Sequence, residues 1–282
     1  MTAPVARSVA EVRAAVADAR ASGRTVALVP TMGALHAGHG RLVTAAKELA
    51  PFVVVSVFVN PTQFGPFEDF ANYPRTLDAD RALVATAGGE LVFAPTAEEV
   101  FPPGTVAFVE VPKLDAVLCG PRRPGHFRGV CTVVLKLLNI VAPEVAVFGQ
   151  KDAQQAIILG KMVADLNVPV RMHIEPTVRE PDGLAMSSRN RYLTADERAV
   201  APKIYDALRL VRDRAAAGEA DVARLESALL AAVTAIPGAR VDYASILDAE
   251  HLSPMGRLDR PALAAVAVFI GTTRLIDNVI IG

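Results

Sequence analysis

The 282-residue chain carries 29 Lys and Arg against 30 Asp and Glu, a net charge of −1, so it has no global positive field to recruit nucleic acid or an anionic membrane. Its length suits one large α/β domain plus a smaller appendage, and its 52% hydrophobic content with 5% aromatics and no Trp suits Ala- and Val-rich helices packed on a buried sheet. Cys119 and Cys131 are too far apart for a metal knuckle or redox pair, and the start MTAPVARSVAEVRAAV has early acidic residues and no long apolar core; the expectation is a cytoplasmic, reducing compartment without signal peptide or membrane span.

Ser8 and Glu11 form a capping-box pair that opens an Ala-rich helix, which Gly23 is placed to close in the left-handed conformation. Short β-rich runs follow at 25–30, 52–59, 90–94, 145–148 and 170–175, several apolar at consecutive positions, as strands covered on both faces are. Helical stretches are expected between them at about 38–49, 78–87, 130–140 and 154–166. This βαβα alternation predicts an α/β fold with a doubly wound parallel sheet. After Glu175 comes the polar segment 179–191 (REPDGLAMSSRNR), then two long helical patterns, one from Thr194 boxed by Glu197 and one near Asp221. Strand-like runs at 241–247, 263–270 and 278–281 close the chain. The expected organisation is a sheet domain over 1–175 and a smaller C-terminal α+β domain over 176–282 that covers the site with a mobile loop at 179–193.

Four segments carry candidate chemistry. The run 30–39 (PTMGALHAGH) joins a strand to a helix, where backbone N–H groups and the helix start suit an anion, and Gly33 and Gly38 allow close backbone approach. In a first helical turn His36 and His39 share one face and can both donate to a polyphosphate; two solvated histidines or half a zinc site are the competing readings. In 60–64 (NPTQF) the proline ends a strand and frees the Asn60 and Gln63 amides for a ligand or for a solvated turn. In 148–155 (FGQKDAQQ), Lys151 can meet a phosphate, and Asp152 and Gln155 can bind hydroxyls or orient neighbours. In 186–190 (MSSRN), Ser187, Ser188 and Arg189 can clamp phosphates or form a solvated linker. Three of the four follow strands at one sheet edge, the place where open α/β sheets bind ligands.

The segment 29–39 resembles the HxGH signature of the nucleotidyltransferase superfamily in the form found in the pantothenate synthetase family. NPTQF at 60–64, YPRT at 73–76, GHFRGV at 125–130, FGQKDAQQ at 148–155, AMSSRN at 185–190 and TTRLIDN at 272–278 resemble that family as well. The resemblance implies a Rossmann-like fold and an enzyme that activates pantoate with ATP as an acyl adenylate, then joins it to β-alanine. It implies that His36, His39 and Lys151 hold the ATP phosphates and that Ser187, Ser188 and Arg189 close over them. Met32, Gly33, Gly149, Asp152, Val178 and Met186 would contact the nucleotide. Gln63 and Gln155 would hold pantoate, Gln63 would also contact β-alanine, and Val130, Val133 and Val134 would line the gem-dimethyl side. Mg²⁺ would be carried mainly by ATP, with no protein ligand assigned, and the assembly would be a homodimer. Rival readings are another adenylyltransferase of the superfamily, such as a phosphopantetheine adenylyltransferase, an RNA-binding relative of tRNA synthetases, and a silent ligand-binding module. NPTQF and KDAQQ favour the ligase, and the charge balance argues against RNA.

Two departures stand out. Gly40 replaces a bulky apolar residue and is expected to loosen the turn that bears the histidines, at about 0.5–1 kcal/mol of helix propensity. The stretch Leu77-Asp78-Ala79-Asp80 is less acidic than in some relatives, against direct carboxylate ligation of Mg²⁺. His126 reads as a loop-packing residue, and His173 and His251 as structural or surface groups.

Overall fold

The consecutive Val, Leu and Ala positions of the first half of the chain become buried parallel strands. In the computed structural model, which describes residues 2–66, 68 and 70–282, β1 (Val5–Ala6), β2 (Val26–Thr31), β3 (Phe52–Val57), β4 (Leu91–Phe93), β5 (Val145–Gly149) and β6 (Arg171–Glu175) form one six-stranded sheet. Their order is β1-β4-β3-β2-β5-β6, and each neighbouring pair is parallel. The helices are α1 (Val9–Ala21), α2 (Ala37–Leu49), α3 (Leu77–Thr86), the single turn α4 (Ala97–Val100), α5 (His126–Val141) and α6 (Ala153–Asp165). Val29, Val43, Ala46, Val53 and Val55 share one cluster, so α2 covers the β2–β3 surface. This is the doubly wound, Rossmann-like architecture.

The winding direction decides where a ligand goes. From β2 the chain moves through β3 to β4 on one side, whereas β5 and β6 extend on the other, and the two halves meet where Ala27 pairs with Val145 and Leu28 with Ala146. Beyond the carboxyl ends of β2 and β5 lies the crevice of a topological switch point. The HxGH turn leaves β2 there, and β5 ends at Gly149, two residues before Lys151.

The sequence reading located these elements to within a few residues, apart from β1, the single turn α4 and the start of α5. The two-residue edge strand β1 is too short to show a period. Helix α5 starts at His126 and not at 130, because Gly125 enters it with φ 79° and Gly129 continues it, and two glycines read as loop. Helix α2 runs unbroken through Gly40, whose N–H donates to the His36 carbonyl at 3.0 Å.

The described residues form two compact units, 1–149 with 158–175, and 150–157 with 176–282, so the segment 150–157, expected with the sheet domain, belongs to the second. In that unit α7 (Ala195–Val200), α8 (Lys203–Ala216) and α9 (Val222–Thr234) accompany an antiparallel sheet of β7 (Ala239–Asp248), β8 (Ala262–Ile270) and β9 (Thr273–Ile281) in the order β7-β8-β9. Leu208, Leu225 and Leu229 pack with Ile246, Val266 and Val268 to form its core. The helical pattern from Thr194 divides at Pro202, which follows α7 directly after Ala201 and cannot donate the bond that would continue it. Thr194 and Glu197 make the expected capping box, and Asp221 caps α9 through Arg224 N. Among the described residues no helix is long and apolar enough to cross a membrane.

Candidate active site

The turn after β2 is built from left-handed backbone. Gly33 has φ 85° and Ala34 φ 52°, and an added Cβ at Gly33 would lie 2.9 Å from Val57 Cγ1 and 3.1 Å from Asp80 Oδ2. Glycine is therefore required at 33, while Ala34 is strained and must be held. Asp80 holds it. This carboxylate is 1% exposed and accepts from Ala34 N at 3.1 Å, Leu35 N at 2.8 Å and Thr76 Oγ1 at 3.1 Å. Asp80 is thus spent on bracing the turn.

His36 is the N-cap of α2, and its Nδ1 accepts from Gly38 N at 3.2 Å; His39 Nδ1 accepts in turn from His36 N at 3.3 Å. A neutral ring whose Nδ1 accepts carries its proton on Nε2, so both imidazoles are set as Nε2–H donors. Their centroids are 4.1 Å apart. Two adjacent donors at a helix start beside a switch point suit an anionic polyphosphate. The competing zinc reading gains no support, as no group of three or more His, Cys, Asp or Glu is gathered for a metal among the described residues.

The NPTQF turn lies in the same unit. Asn60 is 1% exposed and does not project as expected: its Nδ2 donates to Gln63 Oε1 at 3.0 Å and to Gly129 O at 3.1 Å, while its Oδ1 accepts from Thr62 N and Thr62 Oγ1. Asn60 is a brace and Gln63 is the group it presents. Gln63 Nε2 donates to Met32 Sδ at 3.0 Å. A thioether is a weak acceptor, so this N–H exchanges readily for a carboxylate or hydroxyl oxygen. The contact also joins Met32 of the turn after β2 to the amide turn. Val130, Val133 and Val134 are buried on α5, the helix whose Gly129 carbonyl takes the Asn60 amide.

Lys151, Asp152, Gln155, Val178, Met186, Ser187, Ser188 and Arg189 belong to the second unit. Lys151 sits in a 3₁₀ turn at Gln150–Asp152, with Nζ 3.7 Å from Asp152 Oδ1. The turn is held by Asn278 of β9, whose Nδ2 donates to Gln150 O at 2.9 Å and Lys151 O at 3.0 Å. Ser187 caps the 3₁₀ turn Ser188–Tyr192, its Oγ accepting from Arg189 N at 3.3 Å. The polar segment before it is braced throughout. Met186 N donates to Val178 O at 2.9 Å, Asn190 Nδ2 to Glu180 Oε1 at 2.8 Å, and Arg198 reaches both Glu180 and Asp182. The Arg198 hydrogen bond, against some burial, holds the Asp182 carboxyl below the usual carboxylate range. Arg179 is bidentate on Asp277, at 2.6 and 3.0 Å, and lies 3.5 Å from the Tyr205 ring centroid.

The first unit thus holds Met32, Gly33, His36, His39 and Gln63, with Gly149 at the end of β5, and the second holds Lys151 and Asp152 on the 3₁₀ turn, Gln155 in the first turn of α6, and Met186 to Arg189 on the segment that Met186 N ties to Val178 O. Sequence reasoning missed Asp80 as a brace and gave no role to Arg179, Asp277 or Asn278. A signal existed for Asp277. It falls on the inward parity of β9 with Leu275, Val279 and Ile281, where a carboxylate needs a partner. Elsewhere in the sheet unit, burial works to raise the Glu175 carboxyl, but hydrogen bonds from His173 and Arg41 outweigh it and hold it low. The Cys131 thiol is pushed up to about 12 by burial and by Asp115, which makes it inert.

A family model described as pantoate-beta-alanine ligase matches residues 4–280. The chain is 52% identical over 275 residues to a pantothenate synthetase of Moorella thermoacetica, covering 98% of this chain and 97% of that one. The crystal structure of pantothenate synthetase from Thermus thermophilus superposes with a TM-score of 0.92 at 46% identity, covering 98% of each chain. That of a pantoate-beta-alanine ligase from Francisella tularensis, complexed with beta-gamma ATP and beta-alanine, gives a TM-score of 0.79 at 32% identity, covering 98% of this chain and 97% of that one.

Proposed function

The chain belongs to the pantoate-β-alanine ligase family, and on that premise we propose that it makes pantothenate in two steps with the residues assigned above. The carboxylate of pantoate attacks the α-phosphate of MgATP, forming pantoyl adenylate and releasing pyrophosphate. The amine of β-alanine then attacks the acyl carbon and expels AMP. The observation that carries this reading is the His36–His39 pair, with Nδ1 atoms bound to backbone, on a turn that Asp80 braces.

Each group has a physical task. His36 and His39 donate from Nε2 to the phosphates, Lys151 adds a positive charge, and Ser187, Ser188 and Arg189 complete the neutralisation of the departing pyrophosphate. Met32, Gly33, Gly149, Asp152, Val178 and Met186 contact the nucleotide. Gln63 and Gln155 orient pantoate, whose gem-dimethyl group meets Val130, Val133 and Val134, and Gln63 also meets β-alanine. A phosphoryl transfer of this kind asks for positioning and charge, and no protein nucleophile. With Asp80 committed to Ala34 and Leu35 N–H groups, Mg²⁺ enters as part of the substrate MgATP. A relative complexed with ATP and β-alanine supports the ligase reading over a phosphopantetheine adenylyltransferase. We place the enzyme in the cytoplasm as a homodimer, for which the expected solution mass is twice the 29.8 kDa of the chain.

The test is isotope exchange. Labelled pyrophosphate is expected to enter ATP when pantoate and Mg²⁺ are present and β-alanine is absent. Exchange that begins only on addition of β-alanine would exclude a discrete adenylate step.

A further inference from the structure

Gln63 is gripped through its backbone as well as through Asn60. Its carbonyl is 2.9 Å from His126 Nδ1, and a carbonyl only accepts, so Nδ1 carries a proton and donates. Nε2 of the same ring is 2.8 Å from Arg123 NH1. A guanidinium has no acceptor, so Nε2 accepts, and His126 is the neutral Nδ1–H tautomer. The ring is buried. Arg123 is itself fixed by Glu68, to which Nε and NH2 each donate at 2.7 Å, and Glu68 N donates to Gly65 O at 3.1 Å. Burial works to raise the Glu68 carboxyl, but Arg123 outweighs it and keeps the carboxylate ionised.

One turn along α5, Gly129 lies so close that an added Cβ would be 2.3 Å from Thr62 O. The start of α5 therefore holds the amide turn at three points: the Thr62 backbone, the Asn60 side chain and the Gln63 carbonyl. Gln63 Nε2, by contrast, meets the weak Met32 acceptor. The backbone is rigidly placed while the donor that meets substrate is left exchangeable.

We propose that His126 is a positioning residue for the hydroxy-acid half of the reaction: its Nδ1–H, oriented by the Arg123–Glu68 pair, fixes the Gln63 main chain so that the Gln63 amide meets the pantoate oxygens. This rests on the reading of Gln63 as a pantoate contact. ATP, held by the turn after β2 and by Lys151, does not depend on it.

Steady-state kinetics of His126→Ala, His126→Asn and His126→Gln, measured beside Gln63→Ala, test this. Loss of one buried neutral hydrogen bond is expected to raise the pantoate KM about ten-fold in His126→Ala. The ATP KM is expected to stay within about two-fold. An Asn amide places its nitrogen where Nδ1 lies and restores the pantoate KM to within about three-fold. A Gln amide reaches the Nε2 position, satisfies Arg123 and leaves the Gln63 carbonyl unbound, so it behaves as Ala does. The Asn and Gln pair carries the test should His126→Ala fail to fold. Asn no better than Gln, or ATP and pantoate KM rising together, overturns the proposal. If Gln63→Ala raises the pantoate KM and the His126 variants do not, this inference fails alone; an unchanged pantoate KM in Gln63→Ala instead removes the assignment of Gln63 beneath it.

Discussion

Replacing Lys151 or His39 by alanine is expected to lower pantoyl-adenylate formation by about 10²–10³-fold, the scale of losing one preorganised donor to a charge that develops in the transition state. The two residues reach this point by different routes. His39 sits in the first turn of α2, its Nδ1 tied to His36 N at 3.3 Å, so its Nε2 proton is set in place by the helix start. Lys151 rides on a turn whose first two carbonyls, those of Gln150 and Lys151, are held by Asn278. The Lys151 variant should unfold at the same denaturant concentration as the parent, and the His39 variant somewhat earlier, because it loses the cap bond to His36 N, worth about 0.5–2 kcal/mol. Pyrophosphate exchange in each variant is the measurement. A loss below about three-fold, with circular dichroism unchanged, would remove that residue from the chemistry.

Asp277→Ala is expected to destabilise the second unit by about 3–5 kcal/mol, the cost of removing one partner from a buried ion pair. The carboxylate is 4% exposed; it receives two bonds from Arg179 and a third from Asn278 N at 2.8 Å. Without it Arg179 keeps a stack on Tyr205 and a bond to Gly183 O, but its charge is left uncompensated beneath β9. The damage should extend to ATP use, since Asn278, the next residue, holds the Lys151 turn. Urea unfolding of the single variant and of Arg179→Met/Asp277→Leu separates the terms. The double variant should recover a large part of the loss, because an apolar pair of similar volume leaves no stranded charge. A single variant within 1 kcal/mol of the parent would show, on the same scale, that the pair is not the anchor of this strand.

Much of this was legible in the sequence because the signals are local. Apolar runs of strand length separated by helical stretches give the parallel sheet, and Ser8, Thr194 and Asp221 mark helix starts through side chains that reach their own backbone. The HxGH turn is also local, since strand, glycine and histidine lie within one short segment. What the sequence hid is long-range. Asp80 braces Ala34 and Leu35 across 46 and 45 positions, and Asn278 reaches Lys151 across 127, so neither role leaves a spacing to read. Gly129 hid the start of α5 for a related reason: propensity marks glycine as a breaker, whereas here it admits the Thr62 carbonyl. Asn60 was misjudged because an amide after a proline-ended strand looks solvated until Gly129 O and Gln63 Oε1 are seen to take both its N–H groups.

The central claim is that the pantoate carboxylate attacks the α-phosphate, and oxygen labelling tests it most directly. In an adenylate the oxygen bridging carbonyl and phosphorus comes from pantoate, and attack of the amine on carbon expels that oxygen with AMP. Attack on the γ-phosphate would instead give an acyl phosphate and ADP. The donors assigned to the phosphates, His36, His39, Lys151 and the Ser187-Ser188-Arg189 turn, suit a leaving pyrophosphate held by its β- and γ-groups. Pantoate carrying ¹⁸O in its carboxylate should therefore transfer one label to the phosphate of AMP for each amide formed, as read by mass spectrometry. ADP as the nucleotide product, with the label in inorganic phosphate, would contradict the account.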